Sequence, residues 1–200
     1  MTRWQKFYLD DPSLGSISSS FCASQARETF AKYKKRLILD LGCGTGRDTI
    51  CLAGDGAKVI GIDAARSGLV LAQKRTITAI REPYYIESIA QNLPFPDALF
   101  EGVYCFGLLH EFVGSSANGD VTRLMSEINR VLQRSGLVIL TTLAGEPKKG
   151  LPHVQLFTEK MFDDATSMFE CVEKKIYADV GCTGKVGYKV WYGEFTKPEP

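Results

Sequence analysis

Two hundred residues, 44% hydrophobic and 24% charged, describe an ordinary folded chain and exclude a disordered tail, a fibrous repeat and a disulfide-dense miniprotein. Lys and Arg total 24 against 23 Asp and Glu, so the net charge of +1 offers no broad grip on a nucleic-acid backbone. The six cysteines, at 22, 43, 51, 105, 171 and 182, include no C-x-x-C pair, and only His110 and His153 stand beside them, so no metal site is expected. Cys51, Cys105 and Cys171 lie in apolar runs and are expected as buried, reduced thiols. The first ten residues lack the apolar core of a signal peptide, and no apolar run approaches the roughly 20 residues that span a bilayer. The expectation is a soluble cytoplasmic protein.

Residues 1–20 are mixed and end in the Ser/Gly-rich stretch 13–20, which predicts a flexible loop. Ala26, Phe30 and Tyr33 recur at helical spacing and predict a helix over 24–33. The apolar run 36–41 predicts a buried strand, followed by glycines and a short helix over 48–53. A second strand is predicted over 58–62, ending at Asp63, then a helix over 69–80 with Ser67 as its N-cap. Strands three and four are predicted at 84–87 and 102–106. Between 120 and 133, Val121, Leu124, Met125, Ile128, Val131 and Leu132 share one helical face, and Gly136 follows its end. A fifth strand is predicted over 137–142 and a helix over 158–169, with Thr158 as N-cap. Two last strands, 171–178 and 188–195, flank the Gly-rich stretch 179–187 and are suited to an antiparallel hairpin. Strands alternating with helices predict an α/β fold with a largely parallel sheet, whose ligand site lies at the carboxyl ends of the strands.

The most informative segment is Asp40-Leu41-Gly42-Cys43-Gly44-Thr45-Gly46, where a strand turns through glycines into a helix. The dinucleotide fingerprint G-x-G-x-x-G needs glycine at 47, but Arg47 stands there. Asp40, at the strand end, would repel a pyrophosphate seated on the helix N-terminus and would attract a cationic ligand. S-adenosylmethionine carries an ammonium and a sulfonium and no phosphate, so charge favours it over NAD. Asp63, at the end of strand two, is placed either to accept both hydroxyls of a ribose or to cap the following turn.

These residues resemble the class I S-adenosylmethionine-dependent methyltransferases, from about Leu37 to Thr142 and more faintly to Phe195. The resemblance is carried by the Asp40–Gly46 segment, Gly61-Ile62-Asp63, Gln91-Asn92-Leu93-Pro94-Phe95-Pro96-Asp97, Phe100-Glu101-Gly102-Val103, and Arg130-Val131-Leu132 followed by Gly136. It implies a Rossmann-like, seven-stranded, mostly parallel sheet with helices on both faces and an antiparallel last strand. It also implies a donor site. Asp40 with Gly42, Cys43, Gly44, Thr45 and Gly46 would hold the methionine part and Asp63 the ribose. Ala64, Gln91 and Asn92 would edge the adenine, and Phe106 and Gly107 would line the reactive end. The sequence departs from the family in three places. Ser88-Ile89-Ala90-Gln91 lacks the usual acidic residue, Glu101 replaces the usual Asp, and Gly102 stands where a larger apolar residue is common.

Methyl transfer is an in-line displacement, so alignment supplies much of the rate, and a base is needed only when the nucleophile must lose a proton. His110 is the candidate: it would take a proton, orient an acceptor, or serve as a structural histidine. His153 is read as a loop residue in solvent. Trp4, Phe7 and Tyr8 are candidates for a lid. Tyr188 and Tyr192 share one strand face with Trp191 opposite, which reads as core packing. Arg47 and Asp48 either frame the donor carboxylate or form a surface ion pair, and the basic run 32–36 reads as a solvated helix end. The division expected is an N-terminal helical lid over 1–36 and a binding core over 37–200. The activity implied is methyl transfer to a small-molecule acceptor, with no membrane or nucleic-acid partner. The alternatives are a protein or RNA methyltransferase, a non-catalytic donor-binding subunit, and, disfavoured by Asp40 and Arg47, a nucleotide-dependent oxidoreductase.

Overall fold

The structure, a computed structural model, describes residues 2–76, 82–114, 117–147, 153–178 and 189–199. The strands are β1 (Leu37–Leu41), β2 (Lys58–Asp63), β3 (Tyr84–Glu87), β4 (Phe100–Phe106), β5 (Leu132–Ala144), β6 (Glu170–Ala178) and β7 (Lys189–Thr196). The helices are α1 (Arg3–Asp10), α2 (Phe21–Lys32), α3 (Arg47–Ala53), α4 (Arg66–Thr76), α5 (Ala117–Val131) and α6 (Glu159–Thr166). One seven-stranded sheet runs in the order β3-β2-β1-β4-β5-β7-β6. Neighbours from β3 to β5 are parallel, while β7 is antiparallel to both β5 and β6. The strand order reverses between β1 and β4, and the carboxyl ends of these two strands open a crevice there.

Each central strand is buried on both faces, so its side chains divide between two cores at period two. Leu39, Leu41, Val103, Cys105 and Leu140 face α5 and α6, packing on Leu124, Ile128 and Phe162. Ile38, Tyr104 and Ile139 face the other way, toward α2 and α3, where Ala26, Phe30 and Leu52 meet them. Two of the family departures have local causes. A methyl group on Gly102 would come within 2.6 Å of the Phe30 ring, so that ring fills the space of a larger side chain. The Glu101 carboxylate accepts from the backbone N–H groups of Arg36 and Leu37 and fixes the entry to β1.

Several expectations are corrected. The 13–20 stretch is not simply a loop: Pro12–Ser16 forms a short 3-10 helix, begun by Asp11 accepting from the Ser13 N–H. The helix α2 starts earlier than predicted because Ser20 caps it, accepting from the Ala23 N–H at 3.0 Å. Ser67 is not an N-cap; it lies inside α4 and donates to the Gln5 carbonyl. Cys171 is exposed because β6, among the described strands, pairs only with β7 and so lies at the sheet edge, and Cys51 is only partly buried, whereas Cys105 is fully buried. Thr158 does cap α6, accepting from the Met161 N–H at 3.2 Å. The predicted residues 77–80 of α4, the 179–187 connection, Cys182 and Tyr188 lie outside the described residues. No helix among the described residues is long and apolar enough to cross a membrane.

Candidate functional site

A cavity of about 390 Å³ opens where β1, β2 and β4 end. Its floor is the glycine loop. The N–H groups of Gly42 and Cys43 both donate to the Ile62 carbonyl, at 2.8 and 3.0 Å, which ties the loop to β2. Gly42, Gly44 and Gly46 have φ of 73°, 52° and 70°, a region that side chains resist. Gly44 also needs its missing side chain for space, since a methyl group there would come within 2.5 Å of the Tyr8 hydroxyl oxygen.

Two carboxylates flank this floor. Asp63 accepts from the Gly44 N–H at 2.9 Å through Oδ2 and from the Ala65 N–H at 2.7 Å through Oδ1. Each oxygen keeps a lone pair for a ligand hydroxyl, so the cap and the diol roles are compatible. Burial raises its pKa, opposed by these two backbone donors. Asp40 is 2% exposed and accepts from the Thr49 hydroxyl at 2.6 Å. Desolvation pushes its pKa up to about 8, against the opposing Thr49 hydrogen bond. Asp40 is therefore largely protonated when the cavity holds no cation.

Asp48 is not a surface ion. It is buried, with Oδ1 accepting from the Ser20 N–H at 2.7 Å and Oδ2 from the Ser20 hydroxyl at 2.8 Å and the Tyr104 hydroxyl at 3.2 Å. It thus fixes the start of α2 to the start of α3. Arg47 lies 3.6 Å from Asp48 and over the Phe106 ring, 5.4 Å from its centroid.

The far end of the cavity is built by α1 and the turn after β4. Trp4 and Tyr8 stack at 5.7 Å, Phe7 meets Trp4 edge-on at 5.1 Å, and all three line the cavity. Burial, more than the nearby Asp63, raises the Tyr8 pKa, which keeps the phenol neutral. Glu111 holds this helix in place: it accepts from the Trp4 indole N–H at 3.0 Å and pairs with Arg3. Its other oxygen lies 3.6 Å from His110 Nε2. Burial, aided by Arg3, pushes the His110 pKa down to about 4. Its Nδ1 is buried with no hydrogen-bond partner among the described residues.

Of the predicted donor-site residues, Asp40, Gly42, Cys43, Gly44, Thr45, Asp63, Ala64, Gln91, Phe106 and Gly107 line this one cavity, as does His110. Gly46 and Asn92 do not. Gly46 faces Tyr85 and Ala72, and Asn92 is exposed. His153 is likewise exposed and outside the lining. Gln91 is positioned from behind: the Arg130 guanidinium donates to the Leu93 and Phe95 carbonyls and to Asp97, and Glu127 accepts from the Leu93 N–H. Glu111 and the Tyr8–Gly44 contact were absent from the sequence reading. They join residues far apart in the chain, and no local spacing announces them.

The family model described as a methyltransferase domain matches residues 39–140. An uncharacterized methyltransferase of Synechocystis sp. is 32% identical over 106 residues, covering 53% of this chain and 46% of that protein. The chain spans about half the length of the curated relatives it matches. A solved protein from Pyrococcus horikoshii superposes with a TM-score of 0.73 at 18% identity, covering 96% of this chain and 99% of the other. A 1,6-didemethyltoxoflavin-N1-methyltransferase from Burkholderia thailandensis, solved with bound 1,6-didemethyltoxoflavin and S-adenosylhomocysteine, superposes with a TM-score of 0.68 at 19% identity, covering 90% of this chain and 80% of the other.

Proposed function

Because the chain belongs to the class I S-adenosylmethionine-dependent methyltransferases, we propose that it moves a methyl group from S-adenosylmethionine to a small-molecule acceptor. The observation that carries this reading is the pairing of two carboxylates, Asp40 and Asp63, across a glycine loop at the carboxyl end of the sheet. Such a floor suits a ligand with a positive head, which would draw the proton off Asp40, and with a ribose diol for Asp63. When bound, S-adenosylmethionine supplies a methyl group already activated by its sulfonium. Asp40, losing its proton, would face the amino group of the donor. Asp63 would take the ribose hydroxyls with its remaining lone pairs, and Ala64 and Gln91 would edge the adenine. Phe106 and Gly107 would line the reactive end.

The segment 1–36 serves as the lid in this reading, with α1 forming one wall of the cavity. A small acceptor suits a site walled on that side by Trp4, Phe7 and Tyr8. The Burkholderia methyltransferase, which holds the small molecule 1,6-didemethyltoxoflavin, supports the same choice. Calorimetry with S-adenosylhomocysteine and, separately, NADH tests the donor assignment. Binding of the first and not the second is expected; tight NADH binding without S-adenosylhomocysteine binding would overturn it.

A further inference from the structure

His110 Nδ1 is a buried nitrogen in a cavity wall with no partner among the described residues, and such atoms ordinarily find one. Glu111 lies beside the opposite nitrogen, Nε2. The carboxylate favours the tautomer with its proton on Nε2, so Nδ1 presents a lone pair. With a pKa of about 4, the ring stays neutral at every ordinary pH. The missing partner is therefore a hydrogen-bond donor supplied by whatever enters the cavity.

The walls around it define the rest of the ligand. Trp4, Phe7, Leu108 and Phe112 line this end and offer flat or branched apolar surface. The charges at this end are already matched. Glu111 is held by Arg3, and Arg47, the one Lys or Arg among the described lining residues, lies beside Asp48. An anionic acceptor would lose its hydration without meeting an unmatched cation, and a cationic one would find Glu111 already neutralised.

We infer that, if the methyl-transfer reading holds, the acceptor is an uncharged, flat, largely apolar molecule whose single weakly acidic hydroxyl donates to His110 Nδ1. The low basicity of His110 sets the order of events. It is too weak a base to strip the hydroxyl beforehand. As the oxygen pair forms the bond to the methyl carbon, the carbon–sulfur bond breaks and its electron pair stays on sulfur as a neutral thioether. The hydroxyl proton, now on a strongly acidic oxygen, passes to Nδ1. The proton then leaves to solvent.

Calorimetry on the full chain saturated with S-adenosylhomocysteine tests this with three probes of one shape: 2-naphthol, 2-methoxynaphthalene and 2-naphthoate. At neutral pH 2-naphthol should bind tightest. The methyl ether, which cannot donate, should be about tenfold weaker, and the carboxylate weaker still. In His110→Phe the preference of naphthol over its methyl ether should vanish. Equal or tighter binding of naphthoate, or a naphthol preference that survives His110→Phe, would overturn the inference. If that variant fails to fold, the wild-type comparison of the three probes decides alone. The S-adenosylhomocysteine titration reports separately on the donor reading: its failure sinks that reading, whereas donor-product binding without naphthol selectivity sinks only the acceptor class.

Discussion

Asp40→Asn is expected to make the empty protein more stable while weakening donor binding, and pH separates the two effects. The carboxyl pKa is raised from 3.8 to about 8 in the folded chain. Between those values the native state holds a proton that the unfolded chain has released, so the native group costs more with each unit of rising pH. The penalty grows by about 1.4 kcal/mol per unit and reaches about 4 kcal/mol at pH 7, as an order of magnitude. Below about pH 4 it is absent, and above about pH 8 it levels off. Asn keeps an oxygen to accept from Thr49 and carries no proton to lose. Urea unfolding of both proteins at several pH values between 4 and 9 therefore yields a stability difference that widens with pH. The slope is the test, because packing of the Asn amide shifts every point alike. A difference that stays flat across this range would refute the buried, proton-retaining Asp40.

Further outcomes follow from the same geometry. If Asp40 must ionise to face the donor's amino group, S-adenosylhomocysteine affinity rises with pH toward about 8. Calorimetry at pH 7 in buffers of different ionisation enthalpy should then register release of nearly one proton, and no buffer dependence would refute it. Gly44→Ala places a side chain at positive φ and against the Tyr8 hydroxyl, costing about 1–2 kcal/mol for the backbone alone. Tyr8→Ala should relieve only the steric part, so a double-mutant cycle in urea that shows no coupling would contradict the contact. Glu111→Ala removes the hold on Trp4 and Arg3 and should expose α1 to trypsin severalfold faster; an unchanged cleavage rate would show that α1 is held by other contacts. Tyr104→Phe deletes one donor to buried Asp48, with an expected loss of about 1–3 kcal/mol measured by urea midpoint.

The sheet and its cavity floor were readable because their signals are local. β1, β2 and β5 are buried on both faces and so appear as apolar runs, and the glycine loop advertises its own backbone. α5 was found by its apolar stripe, although it begins at Ala117 rather than 120. What escaped were features set by distant partners. α1 falls in the segment expected as a helical lid, but its placement comes from Ser67, which donates to the Gln5 carbonyl, and from Glu111, over a hundred residues away. Asp48 reads either as a frame for the donor carboxylate or as a surface charge, and its burial between Ser20 and Tyr104 is visible only in the fold. Cys171 reads as core beside Phe169 and Val172, yet the sheet order leaves β6 at the rim.

The insertion of β7 between β5 and β6 constrains the birth of the molecule. Because β6 hydrogen-bonds to no other described strand, it has nothing to pair with until residues 189–196 exist. A chain emerging from the ribosome can order β1 to β5 and the cavity floor while β6 waits in solvent. Glu194 of β7 accepts from the hydroxyls of Thr29 and Tyr192, which ties α2 to that strand as well. The cavity floor, at the ends of β1, β2 and β4, needs no pairing with β7, which completes the opposite flank of the sheet.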